Sequence, residues 1–135
     1  MRLIICLDDR NGMLFGGRRQ SRDHAVTERT LALTAGSKLW MDEYSAMLFP
    51  DESGVFVDEA FLDRAEKTDF CFVEDKQFLP ITDKIEQIVV FKWNRPYPAD
   101  TWFPLDLAAE PWKLVKTEDF AGNSHDKITM EVYTR

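Results

Sequence analysis

The chain has 135 residues, enough for one domain over residues 1–135 with a core of its own. Its 24 acidic against 17 basic residues give a formal net charge of −7, which argues against a nucleic-acid partner, because phosphate affinity comes from clustered Lys and Arg. Two cysteines are too few for a disulfide framework, and no apolar run is long enough to span a bilayer, so the expectation is a reducing, cytoplasmic setting without a membrane partner.

Leu3 to Leu7 is an uninterrupted apolar run, the pattern of a central strand buried on both faces. It runs straight into Asp8-Asp9 and is too short for a signal peptide. Asp8 to Gly12 carries turn chemistry. Met13-Leu14-Phe15, followed by Gly16-Gly17, reads as a flexible loop with apolar anchors. A helix is expected from about Arg22, with Ser21 as N-cap and Asp23 in the first turn, where its charge suits the helix dipole. Gly36 ends that helix.

Lys38 to Met41 reads as a second strand, Tyr44 to Phe49 as a short helix and Val55 to Val57 as a third strand. Asp58 is placed to cap a helix from Glu59 to about Lys67. Phe70 to Val73 is a fourth strand, followed by a helical turn through Phe78-Leu79. This alternation favours an α/β fold with a mostly parallel central sheet flanked by helices. Ile85 to Trp93 reads as a long strand, and Trp112 to Phe120 with Lys127 to Tyr133 as a C-terminal antiparallel hairpin across Gly122-Asn123.

One stretch concentrates chemistry at a strand exit and a helix entrance. Asn11 to Asp23 holds Gly12, Met13, Gly16, Gly17, Arg18, Arg19, Arg22 and Asp23. Open α/β sheets place ligands at such junctions, and a helix N-terminus offers backbone N–H groups to an anion. A solvated loop is the commoner reading of a charge run, but three guanidiniums beside a glycine pair and a helix start tip it towards recognition of a small anion. The glycine pair lacks the Lys-Ser/Thr of a phosphate loop. His24 and His125 have no metal-ligand spacing, so no metal is expected. Asp8, Asp9, Glu74 and Asp75 follow two expected parallel strands, where they either share a cation or serve as acidic turn residues. The four tryptophans read as core.

The order of several short motifs resembles the dihydrofolate reductase family. Phe78-Leu79-Pro80, a strand, then Asp100-Thr101-Trp102-Phe103-Pro104 is similar to the family's helix end, strand and DTxFP turn. Gly122 to His125 is similar to its closing hairpin, and Leu3–Leu7, Asn11-Gly12 and Asp23 to its first strand, mobile loop and helix-borne acid. The resemblance implies that Asp23 meets a pterin ring as a catalytic carboxylate and that Thr101 hydrogen-bonds to it. A carboxylate there accepts two N–H donors from a planar amidine-like ring. Asn11, Gly12, Met13, Arg18, Arg19 and Arg22 would complete the ligand-binding side.

Departures from the family lie on the nucleotide side. Val73-Glu74-Asp75 stands where the family has phosphate-binding glycines, and Asp42-Glu43 where it has Gly-Arg. Carboxylates repel phosphate, so NADPH is not expected as a cofactor. Thr27 replaces an aromatic residue that contacts the ligand, and the segment between Phe49 and Val55 is short by a strand and a loop. The reading is a reduced dihydrofolate-reductase-like protein that binds a small anionic or heterocyclic ligand without reductase activity. The alternatives are a divergent pterin-type reductase using Asp23, and a phosphate- or nucleotide-processing enzyme using the arginine loop. A shortened sheet exposes an edge, which argues for a homodimer.

Overall fold

In the computed structural model, which describes all 135 residues, the first apolar run is strand β1 (Arg2–Leu7), in the middle of a seven-stranded sheet. The other strands of that sheet are β4 (Leu39–Met41), β5 (Phe56–Val57), β6 (Phe70–Phe72), β7 (Gln87–Lys92), β9 (Lys113–Phe120) and β10 (Ile128–Thr134), in the order β5-β4-β6-β1-β7-β10-β9. The first five strands of that order are parallel to their neighbours, and β10 and β9 close the sheet antiparallel. The expected α/β class, with a C-terminal hairpin added to a parallel sheet, is the observed architecture.

Alternation along each strand builds two cores, one per sheet face. Leu3, Ile5, Cys71, Ile88 and Val90 face one side with Phe61, Phe78 and Phe103. Ile4, Phe70, Phe72, Val89, Phe91 and Met130 face the other, where Val26 packs on them. Each fully buried Ile or Phe contributes about 1.5–3 kcal/mol through removal from water, so these faces account for the sheet's cohesion.

Helix α1 (His24–Leu33) covers the second face. Its N-cap is Asp23, not the expected Ser21: the Asp23 carboxylate accepts from the Ala25 N–H. The buried side of α1 is rich in threonine. Thr27, Thr30 and Thr34 donate their hydroxyls to the carbonyls of His24, Val26 and Thr30, so no threonine hydroxyl on this face is left over. α2 (Glu43–Ala46) is capped by Asp42. α3 is a single turn, Phe61–Arg64, shorter than the expected Glu59–Lys67 helix. Asp69 explains the difference, because its carboxylate takes the Glu66 N–H and the Trp40 indole and draws the chain out of the helix. No helix is long and apolar enough to cross a membrane.

The stretch read as a flexible loop is instead an ordered hairpin. β2 (Gly12–Phe15) and β3 (Arg18–Arg19) pair antiparallel, and β8 (Thr101–Trp102) joins β2 on its other side. Gly16 and Gly17 have φ of 59° and 74°, the two positive values that a tight two-residue hairpin turn needs. Asp8 anchors this small sheet to the end of β1. Its carboxylate accepts from the N–H groups of Arg10, Gly12 and Tyr97 and from the Gln20 amide. Burial of Asp8 works against its charge, but these donors outweigh burial and hold its pKa below the ordinary value.

Candidate functional site

A cavity of about 220 Å³ opens beside the C-terminal ends of β1 and β6, roofed by the N-terminal half of α1 and the β3 segment. Cys6, Phe72 and Trp93 supply apolar wall, and Arg19, Glu74 and Thr27 supply polar groups. The volume is below the roughly 300–1,000 Å³ of pockets that hold drug-sized ligands, so it suits a small molecule.

Of the expected site residues, Met13, Arg19, Arg22 and Asp23 line this cavity, while Asn11, Gly12, Arg18 and Thr101 do not. Asn11 is exposed in the turn before β2, and its carbonyl accepts from the Phe103 N–H. Gly12 is enclosed; a Cβ there would lie 2.5 Å from the Gln20 amide nitrogen. Thr101 sits on β8 with its hydroxyl donating to Asp100, so the structure does not bring it to Asp23.

The three arginines do not converge. Arg18 is exposed on β3. Arg19 lies against Glu74, with Nε 3.0 Å from Oε1 and a second guanidinium nitrogen 3.0 Å from Oε2, and stacks on the Tyr44 ring. Burial pushes the Glu74 carboxyl up, and the Arg19 bonds offset only part of that push. The pair thus makes one wall of the cavity polar and neutral overall. Burial, reinforced by the Glu74 charge, raises the Cys6 thiol strongly, so Cys6 is an inert apolar wall. Asp8, Asp9, Glu74 and Asp75 form no cation cluster: Asp8 is saturated by N–H donors and Glu74 faces Arg19.

Asp23 is buried with its oxygens filled from within the chain. Besides the Ala25 N–H, it accepts the backbone N–H groups of Asn123, Ser124 and His125, the Ser124 hydroxyl and His125 Nδ1 at 2.8 Å. Burial opposes its charge, yet the donors from Asn123, His125, Ala25 and Ser124 win and hold the carboxyl well below the usual range. A carboxylate so occupied has no free pair of acceptors for an amidine edge, unlike the role implied by the family resemblance. It ties α1 to the β9–β10 turn. Gly122 permits the close approach, since a Cβ there would lie 2.4 Å from the His125 carbonyl and 2.8 Å from Asp23 Oδ2.

His125 is the residue that the sequence hid. Its side chain is buried, its ring stacks on Trp93 at 4.8 Å between centroids, and its Nε2 lies 3.1 Å from Ser21 Oγ and 2.9 Å from the Tyr97 hydroxyl. The 2.8 Å contact to the Asp23 carboxylate favours the tautomer with the proton on Nδ1, in which Nε2 is the acceptor. An imidazole in that state can take a proton from a hydroxyl. The available signal was one of the chain's two histidines placed in a glycine-containing turn, which without the fold does not point back to residue 21 or 23.

No family model matches the chain, and no curated protein matches it by sequence. Among solved structures it is similar to the dihydrofolate reductase from Enterococcus faecalis complexed with NADP(H) and RAB-propyl. The identity is 16%, the TM-score 0.67, and the match covers 99% of this chain and 95% of that one. The likeness shows the fold: this chain is a divergent example of the dihydrofolate-reductase-like architecture.

Proposed function

We propose that this chain is a small-ligand-binding protein on a dihydrofolate-reductase-like fold, with a heterocyclic ligand in the cavity beside α1 and no NADPH in the usual pose. The observation that carries this reading is the cavity itself, with Trp93 and Phe72 in its wall and the Arg19–Glu74 pair opposite. Since Glu74 already balances Arg19, the cavity favours a neutral planar molecule over an anion. The residues at the expected nucleotide positions do not suit a pyrophosphate. Asp42 caps α2, Glu43 follows it, Glu74 is committed to Arg19 and Asp75 caps the turn after β6.

A second reading, a divergent reductase with another nucleotide pose, draws on the NADP(H) named in the solved dihydrofolate reductase complex. The two separate in one experiment. Titrating pterins, nucleobases and NADPH while following tryptophan emission and melting temperature should give saturable quenching and a higher Tm with a heterocycle, and none with NADPH. Mass action makes the stabilisation about 2.7 kcal/mol at a hundredfold excess over Kd. Leu48 also lines the cavity, so Leu48→Trp, which fills that space, should abolish the response. Tight NADPH binding, or heterocycle binding that survives Leu48→Trp, overturns the proposal. The homodimer reading joins it here: β9 leaves one edge of the sheet unpaired, with Leu114 and Val115 half exposed.

A further inference from the structure

We propose that Ser21, His125 and Asp23 form an acyl-transfer site that hydrolyses small esters, with Ser21 as nucleophile, His125 as general base and Asp23 as the group that orients the imidazole. The three side chains make a continuous chain: Ser21 Oγ to His125 Nε2 is 3.1 Å, and His125 Nδ1 to Asp23 Oδ2 is 2.8 Å. Nucleophile and base within hydrogen-bond reach, with the base held by a third group, is the geometric signature of activated hydroxyl chemistry whatever the fold.

Three features go beyond what a structural histidine requires. First, the orientation of the ring is over-determined: Asp23 fixes Nδ1, and Trp93 stacks on the face at an interplanar angle of 21°. Secondly, Asp23 is itself immobilised by backbone donors from Ala25, Asn123 and Ser124, so it keeps its charge and cannot swing away. Thirdly, Ser21 lines the cavity while His125 lies buried behind it, so the nucleophilic end of the chain of groups faces a space that can hold a substrate. Helix α1 begins three residues after Ser21, and His24 at its start lines the same cavity. The first-turn N–H groups of α1 are already bonded to Asp23, that of Ala25 to the carboxylate and those of Val26 and Thr27 to the carbonyl, so the helix start adds no oxyanion site and the chemistry rests on the Ser21–His125–Asp23 geometry. The Tyr97 hydroxyl lies 3.3 Å from Ser21 Oγ and 2.9 Å from His125 Nε2, so it competes with Ser21 for the one Nε2 lone pair, and the proposed step requires its proton to be turned to Ser21 Oγ.

The step balances without any further reactant but water. His125 Nε2 takes the Ser21 proton as Oγ forms a bond to the ester carbonyl carbon. The C–OR bond then breaks, and His125 returns the proton to the leaving alkoxide, giving an alcohol and acyl-Ser21. Water adds to the acyl carbon with His125 again taking its proton, the acyl–Oγ bond breaks, and the proton returns to Ser21. The net reaction converts an ester and water into an acid and an alcohol. The cavity of about 220 Å³ limits the acyl group to a short one.

The test uses the intact protein, p-nitrophenyl acetate as substrate and an alkyl fluorophosphonate as covalent probe. The expected result is one phosphonyl group on the Ser21 peptide by mass spectrometry, with ester hydrolysis lowered at least ~100-fold by Ser21→Ala and by His125→Gln. A wild-type protein that acquires no adduct at Ser21, or hydrolysis that survives Ser21→Ala, overturns the proposal. The wild-type arm does not depend on any variant folding. Heterocycle binding that persists in His125→Gln, whose side chain does not line the cavity, while hydrolysis is lost separates this site from the binding reading, because the two then fail independently.

Discussion

At the scale of single residues the structure turns on Asp23. Six donors converge on it, from Ala25, Asn123, Ser124 (backbone and hydroxyl) and His125 (backbone and ring). Its folded pKa is lowered although burial opposes the charge, so its contribution to stability is present above the unfolded value of about 4 and is lost as pH falls below it. Asp23→Asn replaces an acceptor with an amide whose NH₂ faces other N–H groups. The expected cost at pH 7 is on the order of 3 kcal/mol, as for one partner removed from a buried ionic cluster. Urea denaturation should show this gap in full at pH 7 and a gap that starts to shrink below about pH 4 and keeps shrinking as pH falls towards the lowered folded pKa; a gap independent of pH would refute the assignment. The sequence pointed to Asp23, by a motif and a helix start, but assigned its oxygens to a ligand. Most of its partners lie 100 to 102 residues further along, in a turn that carries no periodic signal. Only the fold reveals that those N–H groups fill the carboxylate.

Elements differ in how far local pattern defines them. β1, β6 and β7 were legible because both faces of each are buried, which leaves an unbroken apolar run. β2 and β3 were not, because a four-residue strand paired to a two-residue one has too little alternation to register. Its glycine pair was visible, but the same residues serve a loose loop or a tight hairpin, and pairing with β8 decides between them. α3 fell short of its pattern because Asp69 competes for the backbone that a longer helix would use. The β9–β10 turn gives a sharper test of element geometry. Gly122→Ala places a methyl group 2.4 Å from a backbone oxygen, which no side-chain rotation relieves. It should lower Tm by several degrees and disturb the Asp23–His125 contact, seen as a shift of the His125 ring resonances. Gly16→Ala, which meets no atom within 4 Å, should cost only the strain of its positive φ, about 1–2 kcal/mol, and leave those resonances in place.

The molecule as a whole is a sheet whose middle is covered on both faces and whose ends are not. The order of strands was only partly legible: alternation of strands and helices gives a parallel sheet, but nothing local states that β1 lies between β6 and β7. The two ends differ in what they offer a partner. β5 has two residues, whereas β9 has eight and presents a full unpaired edge. Antiparallel pairing of two β9 strands about a two-fold axis brings Lys113 and Lys116 of one copy against the acidic half of the other, Glu118 and Asp119. Leu114 and Val115, about half exposed in the single chain, then gain cover. Light scattering should therefore give twice the chain mass at about 100 µM, with dissociation favoured by high salt because surface charge pairs are screened within about 10 Å at 0.1 M. Val115→Lys adds a third lysine to the basic half of the strand without touching the core. It should yield a monomer of unchanged circular dichroism, whereas a wild-type monomer or a dimer indifferent to Val115→Lys would mean that β9 is a capped edge, protected by its own lysines rather than used for assembly.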